Sequence, residues 1–161
     1  MTLQSGITTQ NVCPLCEGDG GELLVAHAQW RVILADEPGF PGFCRVIWRE
    51  HVREMTDLTP AQRQALMNVV FTVERVVREQ LRPDKINLAS LGNMVAHLHW
   101  HIIPRWRHDS HFPGSVWSVA QRPMPTSTQH AGSWPDAAAL QALRQAVRAA
   151  CADLAQAAAI E

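Results

Sequence analysis

The chain has 161 residues and a mass of 17.9 kDa, with a formal charge of −1 and a pI near 6.7. That length allows one compact core and is too short to expect two, and the near-neutral charge excludes a general nucleic-acid binder, which needs a basic surface. No apolar stretch approaches the ~20 residues of a membrane span, and Met1 to Gly6 has neither the basic nor the apolar region of a secretory signal, so a cytoplasmic protein is expected.

Residues 1–12 show no periodicity and read as a loose lead-in. Cys13-Pro14-Leu15-Cys16, with Gly18, Gly20 and Gly21 behind it, reads as a knuckle and turn. Residues 22–28 and 30–35 are β-prone runs, and the turn cluster Asp36 to Gly42 separates them from a third, 43–48, which predicts an antiparallel meander. Thr59 is placed as an N-cap with Pro60 at the first helical position, and Leu66, Val69, Val70, Val73, Val76 and Val77 keep a helical period to about Leu81, where Arg82-Pro83 ends it. Residues 86–90 and 97–106 predict a strand pair around the Gly92-Asn93 turn. Residues 107–135 have no sustained pattern and read as an irregular loop over the site. Asp136 caps a final helix from Ala137 to about Ala158 that either covers the sheet or helps a subunit contact.

The most informative run is Ala96-His97-Leu98-His99-Trp100-His101-Ile102-Ile103-Pro104, with three histidines at alternate positions. On a strand this spacing puts three imidazoles on one face, and Leu98, Trp100 and Ile102 on the other. A buried neutral imidazole needs partners at both nitrogens and a protonated one costs desolvation, so a row of three is costly unless it binds something: metal alone, or a reacting small anion with or without metal. The second constellation is Cys13-x-x-Cys16. Two thiolates on one turn can reach one ion, yet taken alone the pair reads equally as a redox pair or as two ordinary cysteines. Among the four cysteines, Cys44, inside the third strand, reads as a small buried hydrophobe.

The run His97-Leu98-His99-Trp100-His101-Ile102-Ile103 resembles the signature of the histidine-triad (HIT) superfamily of nucleotide hydrolases and transferases. Asn87 to Val95 upstream, with Pro104-Arg105 and His111 to Trp117 downstream, resemble its bacterial diadenosine tetraphosphate hydrolase-like branch. The resemblance covers residues 10–118 of one HIT-like domain expected over 1–161, leaving 119–161 as loop and C-terminal helix. It implies an α+β fold: an antiparallel sheet of about five strands, one long central helix and a C-terminal helix, paired in a homodimer with joined sheets. It also implies a structural zinc site of Cys13, Cys16, His51 and His97, closed by four ligands and so without a position for substrate.

For the reaction the resemblance implies attack by His99 on the α-phosphorus of a nucleotide, a nucleotidyl-histidine intermediate, and hydrolysis by water, with His101 stabilising charge at the scissile phosphate. A neutral imidazole suits this role because one nitrogen attacks while the other donates to a neighbour. Asn87 resembles the amide that touches phosphate, although the loop after it is a residue shorter, and Asn93-Met94 stands where many members carry Gln-Ser or Gln-Thr, so a hydroxyl contact is missing. Asp36 matches an acidic residue that accepts ribose hydroxyls, or is a turn aspartate. Arg105, with Arg107 and His111, is read as charge for distal phosphates or as a solvated basic loop. A dinucleoside polyphosphate such as diadenosine tetraphosphate is the expected substrate; nucleotidyl transfer or phosphorolysis, a nucleoside phosphoramidate, and a nucleotide-binding regulatory role are the alternatives.

Overall fold

The computed structural model describes residues 12–125 and 134–157, and most of the lead-in and part of the long loop lie outside that range. Five strands form one antiparallel sheet in the order β1-β2-β3-β5-β4: β1 Glu22–Ala26, β2 Trp30–Leu34, β3 Cys44–Trp48, β4 Lys85–Ala89 and β5 His99–Arg105. The knuckle is a single helical turn, α1 (Pro14–Glu17), and a 3-10 turn over Met55–Asp57 precedes the long helix α2 (Pro60–Leu81).

α2 begins as the sequence predicts. The Thr59 hydroxyl accepts from the Gln62 amide while the Gln62 side chain accepts from the Thr59 amide, a reciprocal cap, with Pro60 spending no donor. It stops because Arg82, ahead of Pro83, takes a left-handed conformation (φ 46°) and returns its N–H to the Arg78 carbonyl. The final helix, α3 (Ala137–Ala157), starts on Asp136, whose carboxylate accepts from the Ala139 amide at 2.8 Å.

Alternation divides the sheet. Trp30, Val32 and Leu34 of β2, Cys44, Val46 and Trp48 of β3, and Ile102 of β5 pack on Leu66, Val69, Val70, Val73 and Val77 of α2, forming the main core with Leu143, Val147 and Cys151 of α3. α3 thus covers the sheet and α2 together, and Arg144 ties it to Glu22 of β1. Burial pushes the Cys44 thiol up to about 12, so it is packing material and no nucleophile. The close fit under α2 reaches Gly42, with φ +82°, where a Cβ would stand 2.3 Å from Leu81 Cδ1. Among the described residues, no long helix packs on the opposite face. It carries Arg31 and Ile33 of β2, Arg45 and Ile47 of β3, and His99, His101, Ile103 and Arg105 of β5, covered by α1, its turn and the loop after β5.

Candidate functional site

Only two of the three triad residues lie on the strand. β5 starts at His99; His97 sits in a bend before it, its N–H turned onto the Val95 carbonyl, while the amide of Leu98 goes to Val52 and its carbonyl to Trp48. The expected single row of imidazoles is therefore broken after its first member. His97 turns to the knuckle, while His99 and His101 stay on the open face with ring centroids 4.7 Å apart.

At the knuckle, His97 Nδ1 lies 3.4 Å from Cys13 Sγ and 3.5 Å from Cys16 Sγ, and His51 Nδ1 lies 3.3 Å from Cys16 Sγ. The four candidate donor atoms are all within 4.8 Å of one another, so this group can bind a metal ion. The donor chemistry fits. His97 Nε2–H donates to the Trp48 carbonyl at 2.7 Å, which leaves Nδ1 as the lone-pair nitrogen facing the sulfurs. The N···S separations approach the ~3.6 Å edge of a tetrahedron with one thiolate and one imidazole ligand. Arg31, buried on the same face, anchors the knuckle through its donors to the carbonyls of Leu15, Gly18 and Asp19.

The remaining pair holds opposite tautomers. His99 Nδ1 faces the His97 carbonyl at 2.5 Å, and a carbonyl only accepts, so the proton is on Nδ1 and Nε2 keeps its lone pair. At His101 the partner is Arg45 Nε, 3.4 Å from Nδ1, and a guanidinium only donates, so here Nδ1 holds the lone pair and Nε2 the proton. Both rings are buried. Burial, with Arg45 adding like charge, lowers the His99 pKa, and burial, His99 and Arg45 bring that of His101 down to about 3. Two neutral imidazoles result, one offering a nucleophilic nitrogen and one an N–H donor.

Arg45 and its partner Glu37 are the components that the sequence reading missed. Their signal was an arginine at an outward position of the otherwise apolar run Cys44-Arg45-Val46-Ile47. Register placed it: Arg45 pairs directly across from His101, and Ile47 across from His99. Asn87 is bonded to Arg105, and among the described residues no hydrogen bond joins its side chain to the imidazoles. With Ala89, which pairs with His101, and Trp117, whose ring meets the edge of His101 at 5.1 Å, it lines a cleft of about 510 Å³. Asn93 is exposed on the turn before His97 and Asp36 is exposed after β2; neither is brought onto the imidazoles by a side-chain contact.

Arg105 corrects its sequence reading as a substrate contact. It is buried, at 2% exposure, and donates to both oxygens of Asp109 at 2.8 and 3.0 Å, to Asn87 Oδ1 at 2.8 Å and to the Gly114 carbonyl at 2.9 Å. Burial alone would raise the Asp109 carboxyl, but Arg105 and the amides of His111 and Phe112 hold it below its ordinary value. This ion pair fixes the loop that carries Trp117 over His101.

Comparison with known proteins agrees with this geometry. A HIT domain model matches residues 22–108. The chain is 32% identical over 81 residues to an AP-4-A phosphorylase of Mycobacterium tuberculosis (47% of this chain, 42% of that protein). It is 32% identical over 77 residues to a bis(5'-adenosyl)-triphosphatase of Saccharomyces cerevisiae (44% of this chain, 37% of that protein). The matched stretch spans about two fifths of the length of these relatives. Similar solved structures include a histidine triad protein from Bradyrhizobium japonicum (TM-score 0.63, 27% identity, 81% of this chain and 90% of that one). Another is a histidine triad protein from Marinobacter aquaeolei (TM-score 0.64, 25% identity, 84% and 92%).

Because His101 is held neutral in the fold while the unfolded chain takes up a proton below about 6.5, the folded state binds fewer protons in that range, and acid favours unfolding. Thermal unfolding followed across pH is expected to show stability level above about 6.5 and falling as pH drops toward 3. His101→Gln should flatten that slope, and an unaltered slope in the variant would contradict the assignment.

Proposed function

This chain belongs to the HIT domain family, and from that premise we propose that it cleaves a dinucleoside polyphosphate such as diadenosine tetraphosphate at the α-phosphorus, as a single domain and a homodimer in the cytoplasm. The observation that carries the reading is the tautomer pair. His99 Nε2 has a free lone pair because its Nδ1–H is on the His97 carbonyl, and His101 presents Nε2–H beside it.

The lone pair of His99 Nε2 forms the bond to the α-phosphorus as the bond to the bridging oxygen breaks, and the electron pair leaves on that oxygen. The His99 ring becomes cationic at this point, and the His97 carbonyl already accepts its Nδ1–H, so the charge is stabilised without rearrangement. His101 Nε2–H donates to an oxygen of the scissile group, where negative charge grows. Water then attacks phosphorus, the N–P bond breaks with its electron pair returning to His99 Nε2, and the proton lost by water passes to solvent. With its Oδ1 on Arg105, the Asn87 amide has its NH₂ end for a phosphate oxygen. Asn93 at the neighbouring turn and Asp36 beyond β2 remain candidate contacts to phosphate and ribose. Phosphorolysis is the second reading, favoured by the M. tuberculosis relative named AP-4-A phosphorylase; inorganic phosphate would then take the place of water.

Product analysis with diadenosine tetraphosphate decides both points. Wild type should release AMP, or ADP if added phosphate is the acceptor. His99→Ala should release neither while binding within about tenfold of wild type. Equal rates in the two proteins would remove the mechanism.

Zinc is the metal proposed for Cys13, Cys16, His51 and His97, since a Cys₂His₂ set suits it and a closed shell is structural. It would supply an anchor between the knuckle and the approach to β5. Elemental analysis should find about one zinc per chain, and Cys16→Ser should lower the unfolding temperature more than it alters nucleotide preference. Metal-free protein of full stability would exclude the site.

The homodimer reading is supported by the position of β4 at the sheet edge, with Leu88 and, on α2, Phe71 exposed at 38% and 52%. Light scattering should give twice the 17.9 kDa chain mass, and a monomer mass across the working concentration range would exclude it.

A further inference from the structure

The geometry points to Arg45, fastened by Glu37, as a positioning residue that holds His101 in the tautomer with its proton on Nε2; its consequence for turnover rests on the functional reading above. Arg45 lies directly across the β3–β5 ladder from His101, and its Nε–H meets His101 Nδ1 at 3.4 Å. The rest of the guanidinium is fixed. One Nη is bonded to the Glu37 carboxylate, the other donates to the Gly20 carbonyl at 3.4 Å, and its carbon stands 5.3 Å from the Phe43 ring centroid. The arginine therefore has one direction in which to present Nε–H, and that direction is the histidine.

Three aromatic rings also stand beside His101: Phe43 at 5.5 Å, Trp117 at 5.1 Å and His99 at 4.7 Å. The other neutral tautomer would set an imidazole N–H against the Arg45 N–H, two donors with no acceptor between them. A carboxylate in this position would do the opposite: it would draw the proton to Nδ1 and favour a second proton on the ring. A fixed cation leaves Nε2–H toward the open side and opposes the imidazolium. It also polarises the ring, so Nε2–H is a stronger donor to an anionic oxygen. Toward His101 the guanidinium acts as a donor only, since it has no acceptor atom. The charged groups facing His101 are Arg45 from β3 and, behind it, Glu37, with the titratable His99 on its own strand.

Two-bond ¹H–¹⁵N spectra of the imidazole nitrogens test this directly. Wild type at neutral pH should show a protonated Nε2 and a bare Nδ1 at His101. Arg45→Leu should show a mixture of tautomers, and Arg45→Lys a partial return. Glu37→Gln, which empties no space in the sheet, should give the same change at reduced size. With dinucleotide as substrate, kcat of Arg45→Leu should fall by about 10- to 100-fold, by analogy with the loss of a partner that orients a metal-ligating histidine, while KM changes little. An unchanged His101 pattern in both Arg45→Leu and Glu37→Gln overturns the proposal, as does a changed pattern with wild-type kcat. If wild type releases no nucleotide, the functional reading fails, and the spectra still decide whether Arg45 sets the tautomer.

Discussion

The arrangement of the open face depends on the position of one residue, His97, which acts through three different atoms. Its Nδ1 faces two sulfurs, its Nε2–H holds the Trp48 carbonyl at the end of β3, and its own carbonyl accepts the Nδ1–H of His99. The last contact chooses which nitrogen of His99 is free. Fixing the side chain at the knuckle therefore also fixes the peptide that orients the next histidine. A histidine tied on one side only could rotate its backbone carbonyl away, and His99 would then be free to adopt either tautomer.

The positive charge at the site is not carried by histidine. Burial lowers the pKa of both imidazoles, and the positive charge next to them is a guanidinium rather than a third histidine. On the proposed function such a site has two demands, positive charge near a phosphate-rich substrate and an unprotonated nucleophile. The two demands conflict if histidine alone must meet both, because an imidazolium attracts phosphate but cannot attack it. Here the charge stands on Arg45, whose guanidinium is bound to Glu37 and Gly20, and the lone pair on His99 Nε2.

Much of this was legible in the sequence, and the limits have physical reasons. The bounds of α2 follow from local chemistry, Thr59-Pro60 at one end and Arg82-Pro83 at the other, and the structure places them there. The meander strands were found within a residue or two, since β-branched and aromatic runs between turn residues are local signals too. Alternation correctly sent Trp100 and Ile102 to one face and His99 and His101 to the other. It failed for His97, because periodicity assumes a continuous strand and this segment bends where its amide pairs with Val95. Arg45 and Glu37 could not be placed because cross-strand register is a property of two distant segments. Arg105 was misread for a related reason: next to the triad it looks like phosphate-binding charge, and its acceptor, Asp109, lies four residues on in a segment without periodicity.

The three arginines of the open face solve one problem in common. Among the described residues no long helix packs on that face, so it is covered by one helical turn and irregular chain, most of whose carbonyls have no ladder or helix to satisfy them. Arg31 takes the carbonyls of Leu15, Gly18 and Asp19, Arg45 that of Gly20, and Arg105 that of Gly114. Each projects from a strand position in register with the histidines, and each fork meets several acceptors at once, which a lysine cannot do in a fixed plane. Rigid cover is obtained this way without filling the face with apolar side chains, and so the same surface can hold both a firm loop and a polar site. On the opposite face the same strands bury Val32, Val46 and Ile102 under α2, where apolar packing alone suffices. The division between hydrophobic adhesion below the sheet and guanidinium–carbonyl adhesion above it is what holds His99 and His101 in place on a face that still carries polar groups.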